Sequence, residues 1–96
     1  MAAYVIGAVT VTDPSWLEEY GPAVAALVES HGGKYIARDM ETVHLEGGGS
    51  IPSAIVVLQF PTAEQARAWY DSPEYQPYIK MRQAGATGDL FLVAGL

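Results

Sequence analysis

Runs of β-branched and aromatic residues alternate along the chain with stretches in which apolar residues recur at helical spacing. Four runs have the composition of strands, because Val, Ile, Tyr and Phe are enriched where side chains pack on a pleated sheet. We predict strands at residues 4–11, 34 to about 46 (bent near Asp39-Met40), 53–60 and 89–94, with a turn at 85–88 before the last one.

The first helical stretch lies between strands one and two. From Trp16 to His31, apolar residues follow one another at steps of three and four, which places them on one helical face. Thr12-Asp13-Pro14 puts a capping side chain before a proline at the first helical position, and Gly32-Gly33 supplies a left-handed C-cap. Gly21-Pro22 falls inside this helix, and we expect it to kink the helix or to split off its first turn.

The second helical stretch is divided in two. Thr62, with Gln65 three residues later, forms a capping box that opens a helix through about Tyr70. Ser72-Pro73-Glu74 repeats the start signal, with Ser72 as the predicted N-cap of a further helix that runs to about Gln83. The division leaves the order of strands and helical stretches unchanged.

That order is βαββαβ, in a chain of 96 residues that has room for a single domain, residues 1–96. Right-handed crossovers put both helical stretches on the same face of a four-stranded antiparallel sheet. The predicted fold class is α+β, a ferredoxin-like sandwich.

The predicted strands are apolar on both sides, although an antiparallel sheet with one wet face should alternate apolar and polar residues. In strand one, for example, Val5 and Val9 alternate with Tyr4 and Ile6. Helices cover only one face, so the other face would expose more apolar area than monomers normally tolerate. We therefore predict a homodimer whose sheets pack face to face.

Composition and charge exclude several classes of function. Half of the residues are apolar and 17% are charged, which excludes an intrinsically disordered chain. Eleven acidic residues against five basic ones give a net charge of −6 and no basic stripe for nucleic acid. The lack of cysteine removes disulfides, thiolate metal sites and cysteine nucleophiles. With neither a signal peptide nor a long apolar run, the chain is expected to be cytoplasmic, with no membrane partner.

The most distinctive stretch of the sequence is Trp69-Tyr70-Asp71-Ser72-Pro73-Glu74-Tyr75. It occurs together with Gly32-Gly33 before strand two, Arg38 within that strand, Leu45-Glu46-Gly47 at its end and Phe60-Pro61 before the second helix. In these features the chain resembles, over nearly its whole length, the family known as domain of unknown function 1330, a branch of the dimeric α+β barrel superfamily.

The resemblance implies a ferredoxin-like protomer that pairs as a dimeric α+β barrel, in agreement with the argument from the strands. It implies no particular reaction, because the family has no established activity. The superfamily includes cofactor-independent monooxygenases, lactone isomerases, haem-handling enzymes and pure ligand-binding domains, so the fold does not choose among them. Family members tend to follow the strand-two arginine with glycines, whereas Asp39-Met40 follows Arg38 here, so no tight turn is implied at this point.

Arg38 and Arg82 are candidate ligand-binding residues. Arg38 lies in a strand with apolar neighbours, and Arg82 follows Tyr75 on the three-four spacing of a helix. In so acidic a chain, a guanidinium inside a cleft could hold a substrate carboxylate or enolate in bidentate fashion. The alternative is structural, with each arginine paired to a carboxylate such as Glu46 or Glu74.

Four aromatic residues, Tyr20, Trp69, Tyr70 and Tyr75, are further candidates. The three tyrosines are the candidate catalytic residues, since a phenol can act as an acid or as a hydrogen-bond donor. Trp69 and Tyr70 are candidate ligand-binding residues for a flat substrate. The alternative is packing in the core, which we expect of about two of the four. Because neighbours on a helix diverge, one of Trp69 and Tyr70 should face the sheet and the other a helix edge or the pocket.

His44 and Glu46 stand two apart on the predicted strand, so both would project from one face. They could bind a metal or form a His–carboxylate base pair, but nothing else converges there, and a solvated hairpin edge explains them better. His31 at a helix C-terminus is a favourable partner for the helix dipole. Gly47-Gly48-Gly49 lacks the lysine and the helix of a phosphate loop, and no zinc, haem, flavin or nicotinamide motif is present. We therefore predict neither a metal nor a cofactor.

Three hypotheses about function remain. The first is a cofactor-independent small-molecule enzyme with a pocket between the sheet and the helices, in which Arg38 and Arg82 anchor an anionic or aromatic metabolite. In this enzyme Tyr20, Tyr70 or Tyr75 would transfer the proton. The second is a module that binds such a ligand without turnover. The third is a dimeric structural or accessory protein with a filled core.

Overall fold

The strands and helices follow the predicted βαββαβ order, with the second helix divided in two. The computed structural model describes residues 1–96. Its elements are β1 (Ala3–Val11), α1 (Leu17–Ser30), β2 (Lys34–Asp39), β3 (Ala54–Phe60), α2 (Ala63–Asp71), α3 (Gln76–Gly85) and β4 (Ala86–Ala94). The strands form one antiparallel sheet in the order β2-β3-β1-β4, which confirms the ferredoxin-like α+β fold. None of the helices is both long and apolar enough to cross a membrane.

The helices pack on one face of the sheet and enclose the hydrophobic core. Alternation along β1 sends Val5 to this face, where it is buried with Val24 and Val28 of α1 and Leu58 of β3. The other buried members of the core are Phe60, Ala66, Trp69, Tyr75 and Ile79. Burial of a large apolar side chain contributes about 1.5–3 kcal/mol relative to exposure, so this cluster holds the helices on the sheet.

The opposite face of the sheet carries no helix and is here named the open sheet face. Ile6 of β1 pairs with Val57 of β3 and Phe91 of β4, which lines up three apolar side chains across this face. Phe91 is 54% exposed, and Val93 is exposed beside it. The predicted two-sided apolar character of the strands is therefore confirmed, and the apolar side chains on this face have no helix to cover them.

The first helix begins differently from the prediction. Asp13 caps its first turn as expected, because its Oδ1 accepts a hydrogen bond from the Ser15 N–H at 3.0 Å. The helix does not break at Gly21-Pro22, however: α1 runs through Pro22, and the separate first turn is a 3-10 turn at Pro14–Trp16. Trp16 fixes that turn, since its buried Nε1–H donates to the Gly85 carbonyl oxygen at 3.2 Å.

Two other predicted helix signals are confirmed. At the start of α2, Thr62 Oγ1 accepts a hydrogen bond from the Gln65 N–H at 3.1 Å. At the end of α1, Gly32 has a φ of 82°, the left-handed conformation that residues with a Cβ rarely adopt. The end of α1, which precedes β2, and the start of α2, which follows β3, are thus both determined by a few neighbouring residues.

β2 is shorter than predicted, ending at Asp39 instead of near Glu46. Asp39 Oδ1 accepts a hydrogen bond from the Glu41 N–H at 3.0 Å, and this local turn replaces the next ladder bond. In the register of the sheet, the residues that would have to pair with 40–46 are 48–54, whose glycines and proline are poor strand formers. Residues 40–53 are therefore irregular.

A β-bulge interrupts β2. Tyr35 pairs with Leu58 and Arg38 pairs with Val56, so three steps along β2 match two steps along β3. On a regular strand, residues three apart lie on opposite faces. The extra residue puts Tyr35 and Arg38 on the same face, the one towards the helices.

Ser72 closes α2 instead of opening α3. Its hydroxyl donates to the Trp69 carbonyl oxygen at 2.8 Å, and its backbone is extended, as favoured before Pro73. The N-cap of α3 is Tyr75, and the proline in the first turn of that helix is Pro77. The prediction of Ser72 as an N-cap is therefore wrong, because the proline in the first turn of α3 is Pro77 and not Pro73.

The turn predicted at 85–88 is absent, because β4 begins directly after α3. The ladder between β1 and β4 extends to Val11 opposite Ala86. The Gly85 carbonyl oxygen accepts hydrogen bonds from the Thr12 and Asp13 N–H groups at 2.9 and 3.0 Å. These bonds tie the end of α3 to the end of β1, so the helix passes into the strand without a loop.

Candidate ligand-binding site

The helices do not fill the space above the sheet and leave a cavity of about 350 Å³, the central cavity. Small-molecule sites occupy roughly 300–1,000 Å³, so this volume suits a small ligand. Its walls are mostly apolar, and no Asp, Glu or His lines it. The aromatic and charged residues of its lining are Trp16, Tyr20, Tyr35, Arg38, Trp69, Tyr75 and Arg82.

Two tyrosine hydroxyl groups meet at one wall of the central cavity. The hydroxyl oxygens of Tyr20 in α1 and Tyr75 at the start of α3 lie 2.6 Å apart. Tyr75 is fully buried, and the Trp16 ring packs edge-on against Tyr20 at a centroid distance of 4.9 Å. This packing holds the two phenols in place as a hydrogen-bonded pair.

The environment of Tyr20 keeps its hydroxyl protonated. Burial raises the pKa of Tyr20 well above its ordinary value of 10.0, Tyr75 raises it further, and the charge of Arg82 offsets only part of the rise. Burial also raises the pKa of Tyr35. A neutral phenol can donate a hydrogen bond or a proton, but a group with so high a pKa is a poor general base at neutral pH.

These raised pKa values predict a loss of stability in alkali. Above about pH 10 the unfolded chain binds fewer protons than the folded one, so the free energy of unfolding falls by up to about 1.4 kcal/mol per pH unit for each group. We expect Tyr20→Phe to reduce this slope in urea unfolding experiments, and Tyr35→Phe to act in the same direction. An alkaline slope that is unchanged in Tyr20→Phe would contradict the raised pKa.

Arg82 lies inside the central cavity, in the last turn of α3, and is 9% exposed. Burial by itself would lower the pKa of Arg82, but Tyr75 and Tyr20 outweigh that effect and raise it, so the guanidinium stays charged. Its Nε–H has no hydrogen-bond acceptor. Glu74, the carboxylate considered as a structural partner, does not line the cavity. A buried charge without a counter-charge is costly, and an anionic ligand would supply the missing counter-charge.

Arg38 reaches the same cavity from the sheet. The bulge in β2 turns it towards the helices together with Tyr35. Arg38 is exposed, so it lies at the solvent side of the cavity, whereas Arg82 lies inside. Glu46, the carboxylate considered for it, belongs to the irregular exposed segment after β2. The two arginines therefore approach one cavity from different layers of the fold.

Trp69 and Tyr70 diverge, as expected of neighbours on a helix. Trp69 is 1% exposed, stacks on Tyr75 at a centroid distance of 4.5 Å, and lines the central cavity. Its indole Nε1–H has no hydrogen-bond acceptor. Tyr70 is exposed and does not line the central cavity. Trp69 and Tyr75 are thus core residues and cavity walls at once, which merges the two alternatives considered for them.

A second cavity of about 340 Å³ lies between α2, α3 and β4. Tyr70 lines this second cavity. Four residues line both cavities and form the partition between them: Val5, Trp69, Arg82 and Leu90. The structure therefore brings Arg38, Arg82 and Trp69 to the central cavity and places Tyr70 in the adjoining one.

Several lining residues were not predicted from the sequence. Tyr35 is one of them, because on a regular strand the side chains of Tyr35 and Arg38 would lie on opposite faces of the sheet, and the bulge that brings them to one face cannot be read from the sequence. Trp16 and Met40 also line the central cavity, and Arg67 and Gln83 line the second one. Of these residues, only Trp16 could have been predicted from the sequence, because it is an aromatic residue at the start of an amphipathic helix.

The strand geometry expected for His44 and Glu46 is wrong, because both are exposed in the irregular segment after β2. No group of three or more His, Asp or Glu side chains is placed to hold a metal ion. His31 lies at the C-cap of α1, and its Nδ1 is 3.0 Å from the Leu27 carbonyl oxygen. Neither histidine lines either cavity.

Solved structures share this fold at low sequence identity. A protein of unknown function from Rhodopseudomonas palustris has a TM-score of 0.83 at 17% identity, over 99% of this chain and 82% of that one. SnoaB, a cofactor-independent oxygenase from Streptomyces nogalater, has a TM-score of 0.72 at 14% identity, over 99% and 93%. HapK from Hahella chejuensis has a TM-score of 0.63 at 10% identity, over 98% and 92%. At such identities the likeness shows the fold alone.

The sequence itself shows the family. No curated protein matches the chain. The family described as "Domain of unknown function (DUF1330)" matches residues 2–96, which include every residue of both cavities. The chain therefore belongs to the DUF1330 family, and it shares its ferredoxin-like α+β fold with these solved structures.

Proposed function

We propose that this protein is a cofactor-independent small-molecule enzyme whose central cavity binds an anionic or aromatic metabolite. The observation that carries the proposal is Arg82, a buried guanidinium in a central cavity whose lining has no carboxylate, together with the hydroxyl pair of Tyr20 and Tyr75. A structural protein with a filled core would need neither a cavity of this size nor an unpaired buried charge.

The lining of the central cavity indicates the class of ligand. The stacked rings of Trp69 and Tyr75 and the apolar strand residues suit a flat, largely apolar body. Arg82 inside the cavity and Arg38 at its solvent side suit a carboxylate, enolate or phenolate. An aromatic compound that carries such a group meets both requirements.

The chemistry available in the cavity depends on charge, because no Asp, Glu or His is present to act as a base. Arg82 would lower the pKa of a bound enol or phenol by stabilising its anion. The Tyr20–Tyr75 pair would orient that anion or return a proton to it. SnoaB, which shares the fold, is a cofactor-independent oxygenase, and this supports the proposal by analogy.

The second candidate function is binding without turnover. The absence of Asp, Glu and His from the lining favours this second candidate, because the central cavity then lacks a side chain that could act as a base near neutral pH. A sensor or carrier of an anionic aromatic compound needs the arginines and the aromatic walls but no catalytic base.

We further propose that the protein works in the cytoplasm as a homodimer that forms through the open sheet face. The apolar row of Ile6, Val57 and Phe91 supports this assembly, because two copies that meet through it bury these side chains. This burial has to outweigh the repulsion between two chains that each carry a net charge of −6.

Native mass spectrometry of freshly purified protein tests the proposed function. We expect a species of about twice the chain mass of 10.3 kDa with a small-molecule adduct, and we expect Arg82→Met to lose the adduct. Incubation of the released compound with the protein then separates the two candidates: an enzyme yields a product of different mass, and a binding module returns the compound unchanged. The proposal fails if no compound co-purifies and no member of a panel of aromatic carboxylates and phenols binds.

A further inference from the structure

Two buried nitrogen donors without acceptors lie in the partition between the central and second cavities. Trp69 is 1% exposed and its Nε1–H is unpaired, and Arg82 is 9% exposed and its Nε–H is unpaired. Buried polar groups in folded proteins nearly always have a hydrogen-bond partner, so each of these exceptions needs a physical explanation.

The two unpaired donors are related in space. Trp69 belongs to α2 and Arg82 to α3, yet both side chains line the same two cavities. The only other buried side-chain atom without a partner, Thr42 Oγ1, lies outside both cavities. Both donors thus belong to the residues that separate the two cavities, and neither has an acceptor within the protein, which indicates a missing acceptor at the partition.

The charges around the cavities indicate which acceptor fits. The charged lining residues of the two cavities are Arg38, Arg67, Asp71 and Arg82, three cations against one anion, in a chain whose net charge is −6. Positive potential is therefore concentrated where the rest of the molecule is negative, which favours an anion over a cation or a neutral acceptor.

We propose that the partition is an oxyanion site, in which a carboxylate, enolate or phenolate oxygen of the ligand accepts hydrogen bonds from Trp69 Nε1–H and Arg82 Nε–H. The inference rests on the proposed function, which provides the ligand. It adds the position of the anionic oxygen and extends the binding site to the second cavity, where a substituent adjacent to the group that carries this oxygen would lie. The aromatic body of the ligand occupies the central cavity.

The indole N–H signals of the two tryptophans provide a direct test. Trp16 Nε1–H already donates to Gly85 and serves as an internal reference, whereas Trp69 Nε1–H has no acceptor to lose. In ¹H–¹⁵N spectra of the whole protein, 2-naphthoate is expected to shift the Trp69 indole proton downfield, as a new hydrogen bond does. The matched probe 2-naphthylmethylammonium has the same ring, no acceptor and the opposite charge, and it should leave that proton in place. Trp16→Phe assigns the two signals.

The outcomes separate this inference from the proposed function. If 2-naphthoate perturbs the backbone amides around the central cavity but leaves the Trp69 indole proton unmoved, the oxyanion site is wrong and ligand binding stands. Equal shifts with both probes would reflect ring currents and would also overturn the site. If no amide around either cavity responds to 2-naphthoate, both the oxyanion site and the proposed binding of anionic aromatic compounds are contradicted.

A variant supplies an independent readout. Trp69→Phe keeps an aromatic ring in the core but removes the indole N–H together with part of the fused ring system, so 2-naphthoate should bind about tenfold or more weakly, as for loss of a hydrogen bond to a charged group. The dispersion of the ¹H–¹⁵N spectrum reports whether the variant is folded. A folded Trp69→Phe with unchanged affinity for 2-naphthoate would remove Trp69 from the site.

Discussion

Replacement of Arg82 by methionine is expected to stabilise the fold while it weakens the binding of anionic ligands. Methionine keeps an unbranched side chain as far as the position of Nε and removes a buried charge that has no carboxylate partner. Replacing buried ionic groups by apolar ones of similar volume is often neutral or stabilising by about 1–4 kcal/mol. Loss of a desolvated charge partner costs roughly 2–5 kcal/mol of binding, so 2-naphthoate should bind at least about 30-fold more weakly.

Urea unfolding and calorimetric titration of the same preparations measure both effects of Arg82→Met. Lys80→Met is the matched control, because Lys80 is exposed on the same helix and lines neither cavity. Its free energy of unfolding should stay within about 0.5 kcal/mol of the wild-type value. A large loss of stability in Arg82→Met, with unchanged affinity for 2-naphthoate, would instead identify Arg82 as a structural residue.

Phe91→Glu is expected to convert the protein from a dimer to a monomer. Phe91 is a large exposed residue on the open sheet face, and it lies across from Ile6. A carboxylate there would be buried without a partner if the sheets of two chains met, and each chain already carries a charge of −6. Sedimentation velocity at micromolar concentration should therefore show about twice the chain mass for the wild type and the single-chain mass for the variant.

Leu92→Glu is the matched control for this substitution. Leu92 is the next residue on β4, has a partly exposed side chain, and pairs with Val5 on the face towards the helices. Leu92→Glu thus introduces the same negative charge as Phe91→Glu, one residue away and on the face of the sheet that the helices cover. We expect this variant to remain a dimer. A wild-type protein that sediments as a single chain would show that something other than a second copy covers the open sheet face.

Much of the fold was predictable because its signals are local. The N-cap at Thr62, the left-handed Gly32 and the apolar residues on both sides of β1 each depend on a few neighbouring residues, and each is confirmed. The errors arose where distant contacts decide the outcome. Gly85 looks like the start of a turn, but its carbonyl oxygen accepts hydrogen bonds from Thr12 and Asp13, far earlier in the chain, and so the chain passes from helix to strand.

The candidate site was predictable in part for the same reason. Helical spacing brings Tyr75 and Arg82 to one face, and that spacing can be read directly from the amino-acid sequence. The partition between the cavities was not predictable, because it depends on α2 and α3 packing over β1 and β4. Nor does the sequence show that Trp69 Nε1–H and Arg82 Nε–H lack acceptors, since an unpaired donor is defined only by what surrounds it.

The bulge in β2 has a consequence for how relatives of this chain should be aligned. Because the extra residue restores the phase of the strand, Tyr35 and Arg38 present their side chains to the central cavity from three positions apart. A chain one residue shorter, with a regular strand and the same two residues two apart, would present them identically. A one-residue gap inside this strand is therefore compatible with an intact cavity, and a comparison that forbids such gaps would count the arginine as missing from relatives that have it.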